Sequence, residues 1–272
     1  MKRILILYAF TFSLLTIAAT LDKSKVVQKD GLLYEIKRNK PFTGVVKGTW
    51  ENGSPEFEGT FAKGIADGPF RSFYDNGMPE KEIAYAAGKK EGPSRLFYRN
   101  GKLKKEALYK DDRLEGVVTD YYESGAKKSE IAYVADKKNG EARIYGKNGT
   151  LSDVIPYRDD KIHGVAKKFD ENGKPKSEIS YENNVKNGPG TYYHKNGNVR
   201  ARVTWERNKL GKLVQVYDEK GKLEDTVTFT EEDFEQKKKA VKPPAKKPAK
   251  AKKAPAKPAQ AAKAKKAAAA KK

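Results

Sequence analysis

A glycine recurs every 24 residues through the middle of the chain, at Gly53, Gly77, Gly101, Gly125, Gly149, Gly173, Gly197 and Gly221, with no slip of register. Six of the eight follow an asparagine; Ser124 and Lys220 precede the other two. Eight residues beyond each glycine stands an aromatic: Phe61, Tyr85, Tyr109, Tyr133, Tyr157, Tyr181, Trp205 and Phe229. Four residues before it, from the second unit onward, stands another: Phe73, Phe97, Tyr121, Tyr145, Phe169, Tyr193 and Tyr217, with Trp50 one place later in the first unit. A repeat this regular restricts the fold to an array of like units, each packed on its neighbours.

One unit, Gly92 to Glu115, alternates apolar residues with charges between glycines and sustains no helical stripe, so it reads as a β-hairpin. Asn-Gly first evokes a two-residue turn. With that turn, however, Phe97 pairs with Lys104 and lies opposite Leu103, Ala107 and Tyr109. A three-residue loop closed by left-handed Gly101 as a bulge pairs Phe97 with Leu103 instead. That register places Pro93, Phe97, Leu103, Ala107 and Tyr109 on one face, with charge on the other. The charged face includes a glutamate column at Glu58, Glu82, Glu106, Glu130 and Glu178. Because those carboxylates recur at the repeat interval, they are expected to pair across strands with Lys and Arg rather than to do chemistry.

The fold class is therefore all-β, an elongated single antiparallel sheet of tandem 24-residue hairpins followed by a disordered basic tail. At ~4.8 Å per strand, eight units form a ribbon on the order of 75 Å long. Eight repeats span 44–230, preceded by a leader and partial first repeat at 20–43. Thr230-x-x-Asp233 resembles a capping box opening a short helix over 231–240. Residues 241–272 form the tail proper, and from Lys237 onward the chain holds 15 Lys, 14 Ala and 5 Pro among 36 residues with no acid, a composition unable to bury a core.

At the other end, Lys2 and Arg3 precede an uncharged, largely apolar run from Ile4 to Ala19. That is short of the ~20 residues that span a bilayer, and it has the layout of a secretory signal peptide over 1–19. The expected cut follows Ala19, with Ala18 and Thr20 as alternatives, and no stable transmembrane segment remains after it. The chain has no cysteine, which excludes disulfides, thiol catalysis, cysteine metal sites and lipidation at a leader cysteine. The formal charge of +21 is uneven. Two of those charges leave with the leader and fifteen sit from Lys237 onward, so Thr20 to Gln236 carries only +4.

The pattern Gly-x-x-x-x-aromatic-Tyr-x-Asn-Gly-x-Leu-Lys-x-Glu-x-x-Tyr at Gly92–Tyr109, legible again at Gly68–Tyr85, resembles the variant MORN repeat over about 185 of the 272 residues. The resemblance implies a β-hairpin sheet with a binding or scaffold role and no catalytic residues. Bacterial proteins with this repeat are often labelled antitoxin components, which gives a second functional reading, an antitoxin or immunity-type protein that blocks one dedicated partner.

No phosphate loop, nucleophile elbow or metal-ligand spacing occurs, and His163 and His194 read as solvated turn residues. The expectation is a non-enzyme without catalytic, metal or cofactor sites. Tyr85, Tyr109, Tyr133, Tyr157, Tyr181 and Trp205 are the candidate ligand face, open to a protein or glycan partner. Lys246, Lys247, Lys250, Lys252, Lys253 and Lys257 are the candidate polyanion site, for anionic envelope or host polymers, with nucleic acid bound only non-specifically. Together these describe an exported bacterial module of the periplasm, cell surface or medium, held there by its polycationic end.

Overall fold

The computed structural model describes residues 19–228; the greater part of the leader, the predicted helix over 231–240 and the lysine-rich segment fall outside the described residues. Among the described residues no helix is long and apolar enough to cross a membrane. Eighteen strands form one sheet. Eight hairpins follow in chain order, from Gly44–Thr49 with Pro55–Ala62 to Lys209–Tyr217 with Leu223–Thr228, and every strand runs antiparallel to the next.

Each Asn-Gly turn has the bulged geometry that parity requires. Gly101 N–H donates to the Tyr98 carbonyl at 2.9 Å, and Tyr98 N–H donates to Lys102 at 2.8 Å. Of the three loop residues only Gly101 has positive φ, 79°, and Phe97 lies opposite Leu103. The register then slips a second time. Lys105, not Lys104, faces Leu96, so one further residue is extra and all side chains beyond it change face.

That second bulge corrects the expected faces. Pro93, Phe97 and Leu103 share a face with Glu106 and Leu108, whereas Ala107 and Tyr109 lie on the other with Ser94 and Leu96. Side-chain contacts agree: Arg95 Nε lies 3.1 Å from Glu106 Oε1, and the Tyr121 hydroxyl donates to Glu106 at 3.1 Å. The sheet thus has a tyrosine face, carrying the Tyr85 column, and a glutamate face, which also carries the second aromatic column.

Consecutive hairpins are joined by two-residue loops such as Ala87-Gly88, Asp111-Asp112 and Asn183-Asn184, both residues left-handed, with φ from 47° at Ala87 to 84° at Gly88. Just beyond the loop the chain bows again. Ile83 faces Ser94 and Tyr85 faces Lys90, leaving Glu91-Gly92-Pro93 opposite Ala84. The glycine there has positive φ, 101° at Gly92, and a Cβ at its counterpart Gly140 would meet Ala132 Cβ at 3.0 Å. The positive φ disfavours any larger residue throughout this column, and at Gly140 the close Ala132 adds to it.

A single sheet has no opposing layer, so only strand centres are fully covered and the buried residues are small: Ser94, Ala107, Val118, Ala142 and Val203 among them. The first hairpin is better sheltered. Thr20–Asp22 pairs in parallel with Gly44–Thr49, and a three-stranded sheet of Val26–Lys29, Leu32–Glu35 and Lys40–Pro41 docks through Leu33 N–H on the Gly64 carbonyl at 2.9 Å. Phe42 and Val46 are buried here, where Thr20–Asp22 covers the edge of Gly44–Thr49.

Candidate binding surface

Both rows of turns are used up holding repeats together. At the two-residue loops, Asp112 donates its N–H to the Lys90 carbonyl at 3.0 Å and accepts the Lys90 N–H on Oδ1 at 2.7 Å. Asp136 holds Leu114 in the same way, Asp160 holds Lys138, Asn184 holds Ile162 and Asn208 holds Lys186. At the bulged turns, Asn76 accepts from Met78 N–H and donates to the Arg99 carbonyl at 3.0 Å, 23 residues on. Hydroxyls of Tyr74, Tyr98 and Tyr122 likewise donate to carbonyls of Phe97, Tyr121 and Tyr145 at 2.7–2.8 Å. His194 replaces tyrosine in this row, its Nε2 2.8 Å from the Tyr217 carbonyl oxygen.

On the tyrosine face, one lysine serves two rings. Lys90 faces Tyr85 across the ladder and sets its ammonium 4.8 Å above the Tyr109 ring. Lys138 faces Tyr133 and lies 5.0 Å above Tyr157; Lys186 faces Tyr181 and lies 4.2 Å above Trp205. These cation–π contacts, each worth ~0.5–1 kcal/mol at half-exposed sites, leave all six rings half-buried. Burial raises the Tyr133 pKa above its ordinary value, and the carboxylates of Asp120 and Asp160 push the same way. The alternation that sets this cover, Ala66, Lys90, Leu114, Lys138, Ile162, Lys186, is plain in the sequence once the two-residue loops are known.

On the glutamate face the carboxylates pair across strands: Lys47–Glu58 at 3.5 Å, Arg71–Glu82 at 3.7 Å, Arg95–Glu106 at 3.1 Å and Lys167–Glu178 at 3.2 Å. Glu130 takes Lys127 and the Tyr145 hydroxyl, and those two hydrogen bonds hold its pKa below the ordinary carboxylate value. Burial first, and then its bond to Glu130, raises the Tyr145 pKa. The expected architectural use of this column is what the geometry displays.

Nearer the two-residue loops the glutamate face becomes largely apolar along its strand centres. Pro69, Ala84, Pro93 and Leu108, with Ala86, line a groove of about 770 Å³ whose wall also takes in Tyr85, Tyr109, Glu91, Lys110 and Glu115. Two of the six candidate ligand-face residues thus border it; Tyr133, Tyr157, Tyr181 and Trp205 continue the column beyond. The six candidate lysines from Lys246 to Lys257 lie outside the described residues. His163 is not a solvated turn residue: its N–H donates to the Pro156 carbonyl at 3.0 Å and its Nδ1 is buried without a partner. Among the described residues no cluster of His, Asp and Glu could hold a metal ion.

No curated protein matches the chain. Five segments, 66–87, 90–111, 114–135, 162–183 and 186–207, match the family described as MORN repeat variant. The hairpin of Lys137–Tyr145 with Leu151–Arg158 is unmatched but has the same register and loops; Gly146 stands there for the ladder tyrosine and Val154 for the column glutamate. Five hairpins of the tandem array are thus similar to the MORN repeat variant family.

Proposed function

We propose that the protein is an exported, non-catalytic binding and scaffold module that engages a partner through the glutamate face of its sheet and is held at an anionic envelope or host surface by its lysine-rich end. The observation that carries the first half is the groove of about 770 Å³ bounded by Pro69, Ala84, Pro93 and Leu108, on a sheet whose turns and glutamates are already committed to internal bonds. Concave apolar surface on a rigid frame binds partners, and only a rigid frame keeps one in register over many repeats. The second half rests on the fifteen lysines beyond Gln236, since a local polycation attracts polyanions whatever the sheet does.

The two halves separate in one experiment. Truncation before Lys237 should abolish retention on heparin or lipopolysaccharide and leave the melting temperature within about a degree. The full chain should elute from heparin at a salt concentration well above that needed by the truncated form, because each released counterion steepens the salt dependence. A truncated chain that keeps its full polyanion affinity at moderate salt would sink the anchor. Fractionation of the native host decides export.

A further inference from the structure

The residues just after the apolar leader are built into the sheet. Ala19 accepts the Val45 N–H on its carbonyl oxygen at 2.9 Å, and Thr20, Leu21 and Asp22 lie in parallel register with Val45, Val46 and Lys47. Asp22 then accepts the Ser24 N–H at 2.8 Å, opening a single 3-10 turn over Lys23–Lys25. Lys23 ties that turn down, donating to the Thr49 carbonyl at 3.0 Å and pairing with Glu56. Gly44 permits the approach, since a Cβ there would stand 2.1 Å from the Ala19 oxygen. In later hairpins the corresponding glycine backs onto the preceding strand, as Gly68 does on Thr60 and Gly140 on Ala132. Residues 19–22 thus fill for the first hairpin the place that a preceding hairpin fills for the others.

These contacts bear on where the leader is removed, which the residues alone leave open among Ala18, Ala19 and Thr20. We infer that a leader peptidase cuts the Ala18–Ala19 bond, so that the mature chain begins at Ala19, immediately before the strand Thr20–Asp22. The inference rests on the reading of the protein as exported and assigns its processing site. Water adds across the amide, leaving a carboxylate on Ala18 of the released leader and an ammonium on Ala19. A cut after Ala19 would carry away the carbonyl that holds the Val45 N–H. A cut after Thr20 would take a residue of the strand as well. Of the three bonds, only Ala18–Ala19 leaves every contact of the strand in the mature chain.

The recognition side agrees independently. Leader cleavage needs small residues at the first and third positions before the cut, and for this bond they are Ala18 and Thr16. One bond later the third position is the bulky Ile17, and two bonds later the first position is the branched Thr20. The cut also decides the state of the first hairpin. With Ala19 retained, Gly44–Thr49 is paired along its first half. Without it the Val45 N–H joins the unpaired groups of an edge, which are a template for pairing with another chain.

The full chain, expressed in a bacterium and recovered outside the cytoplasm, should have the intact mass of a protein that starts at Ala19. Its terminal sequence should read Ala-Thr-Leu-Asp. Ala18→Leu should reduce cleavage at that bond at least tenfold, whereas Ile17→Gln, at the unselective second position, should leave it unchanged. In the mature protein the Val45 amide should exchange with solvent at least tenfold more slowly than an unpaired amide. A mature chain that starts at Thr20 or Leu21, or cleavage lost with Ile17→Gln and kept with Ala18→Leu, would overturn the site and leave export standing. Free exchange at Val45 in a chain that starts at Ala19 would overturn the role of the retained residue. A chain that keeps Met1 and stays in the cytoplasm would remove both the site and the reading of export on which it rests.

Discussion

The two rows of turns solve the same problem with different chemistry. The bulged row needs one left-handed residue per repeat, and glycine fills it every time: φ is 79° at Gly101 and 95° at Gly125. The other row needs two left-handed residues in succession, and in five of its loops neither is glycine: Asp111-Asp112, Ala135-Asp136, Asp159-Asp160, Asn183-Asn184 and Arg207-Asn208. A non-glycine residue in that region costs roughly 1–2 kcal/mol. The second row offsets this with the reciprocal clamp, one Asp or Asn holding both the N–H and the carbonyl of a residue 22 positions earlier. One row relies on conformational freedom, the other on a bond to the neighbouring repeat.

Changing the length of the array should have the largest effect. Removing Gly116 to Asn139 joins Glu115 to Gly140 and brings Asp160 into place to clamp Leu114, as Asp136 does now. Both rows stay continuous, and nearest-neighbour stacking predicts a shorter sheet that still unfolds cooperatively within a few degrees of the parent. Removing only Gly116 to Lys127 shifts everything beyond by half a period, so bulged turns meet two-residue loops in both rows. Circular dichroism should show that variant without a cooperative transition. Equal damage from the two deletions would mean that stability comes from long-range packing instead.

Within the bulged row, Gly125→Val should cost ~2–3 kcal/mol, because a β-branched side chain is forced to φ 95°. Space is not the reason: a Cβ there meets only Lys102 Cδ, at 3.5 Å. Gly125→Asn, which tolerates the left-handed region, should cost well under half as much in a urea titration. A valine variant with the parent's midpoint would contradict the bulged geometry.

The contrast between the rows also explains what could be read from the residues alone. The glycine and aromatic columns fixed the repeat, its hairpins and the bulged turn, because an invariant glycine has one conformational meaning and Phe97 against Leu103 has one register. The faces were misjudged because nothing marks the second bulge: the extra residue is Lys104 in one unit, Glu80, Lys128 or Ser152 in others, with no shared conformational preference. For the same reason Pro93, Phe97 and Leu103 were placed on the side of Tyr109, from which the second bulge separates them. The clamp was illegible in another way. Asp-Asp and Asn-Asn read as ordinary polar loops, and only the stacked loops show each aspartate reaching 22 residues back.

Asp136 tests whether the clamp or the conformation dominates its row. Asp136→Ala removes the bond to Leu114 N–H and keeps the strained φ of 70°, so it should lose about 1 kcal/mol in urea. Asp136→Gly loses the same bond but relieves the strain, and should come out near the parent. Glycine at this position is already present at Gly64 and Gly88, both left-handed. Asp136→Asn should be neutral, as Asn184 and Asn208 keep the bond. If alanine and glycine are equally damaging, strain has no part in the difference between the rows.

The smallest effect belongs to the glutamate column, which tests whether either face adds to what the turns already secure. Glu130 is bonded to Lys127 first and the Tyr145 hydroxyl second, and its pKa in the folded chain is lowered by them. A lowered folded value means that the contribution is fully present above the unfolded carboxylate pKa and is lost as pH falls through the folded one. The window therefore lies in acid, below the ordinary glutamate range, and not near neutrality. Glu130→Gln should lower stability at neutral pH by about 0.5 kcal/mol, typical of a partly exposed pair, and flatten the decline of melting temperature on acidification. Glu58→Gln, whose partner Lys47 is 3.5 Å away and more exposed, should do less. A glutamine variant at position 130 that follows the parent's acid limb at every pH would show that this pair contributes nothing, leaving the two rows of turns to hold the sheet alone.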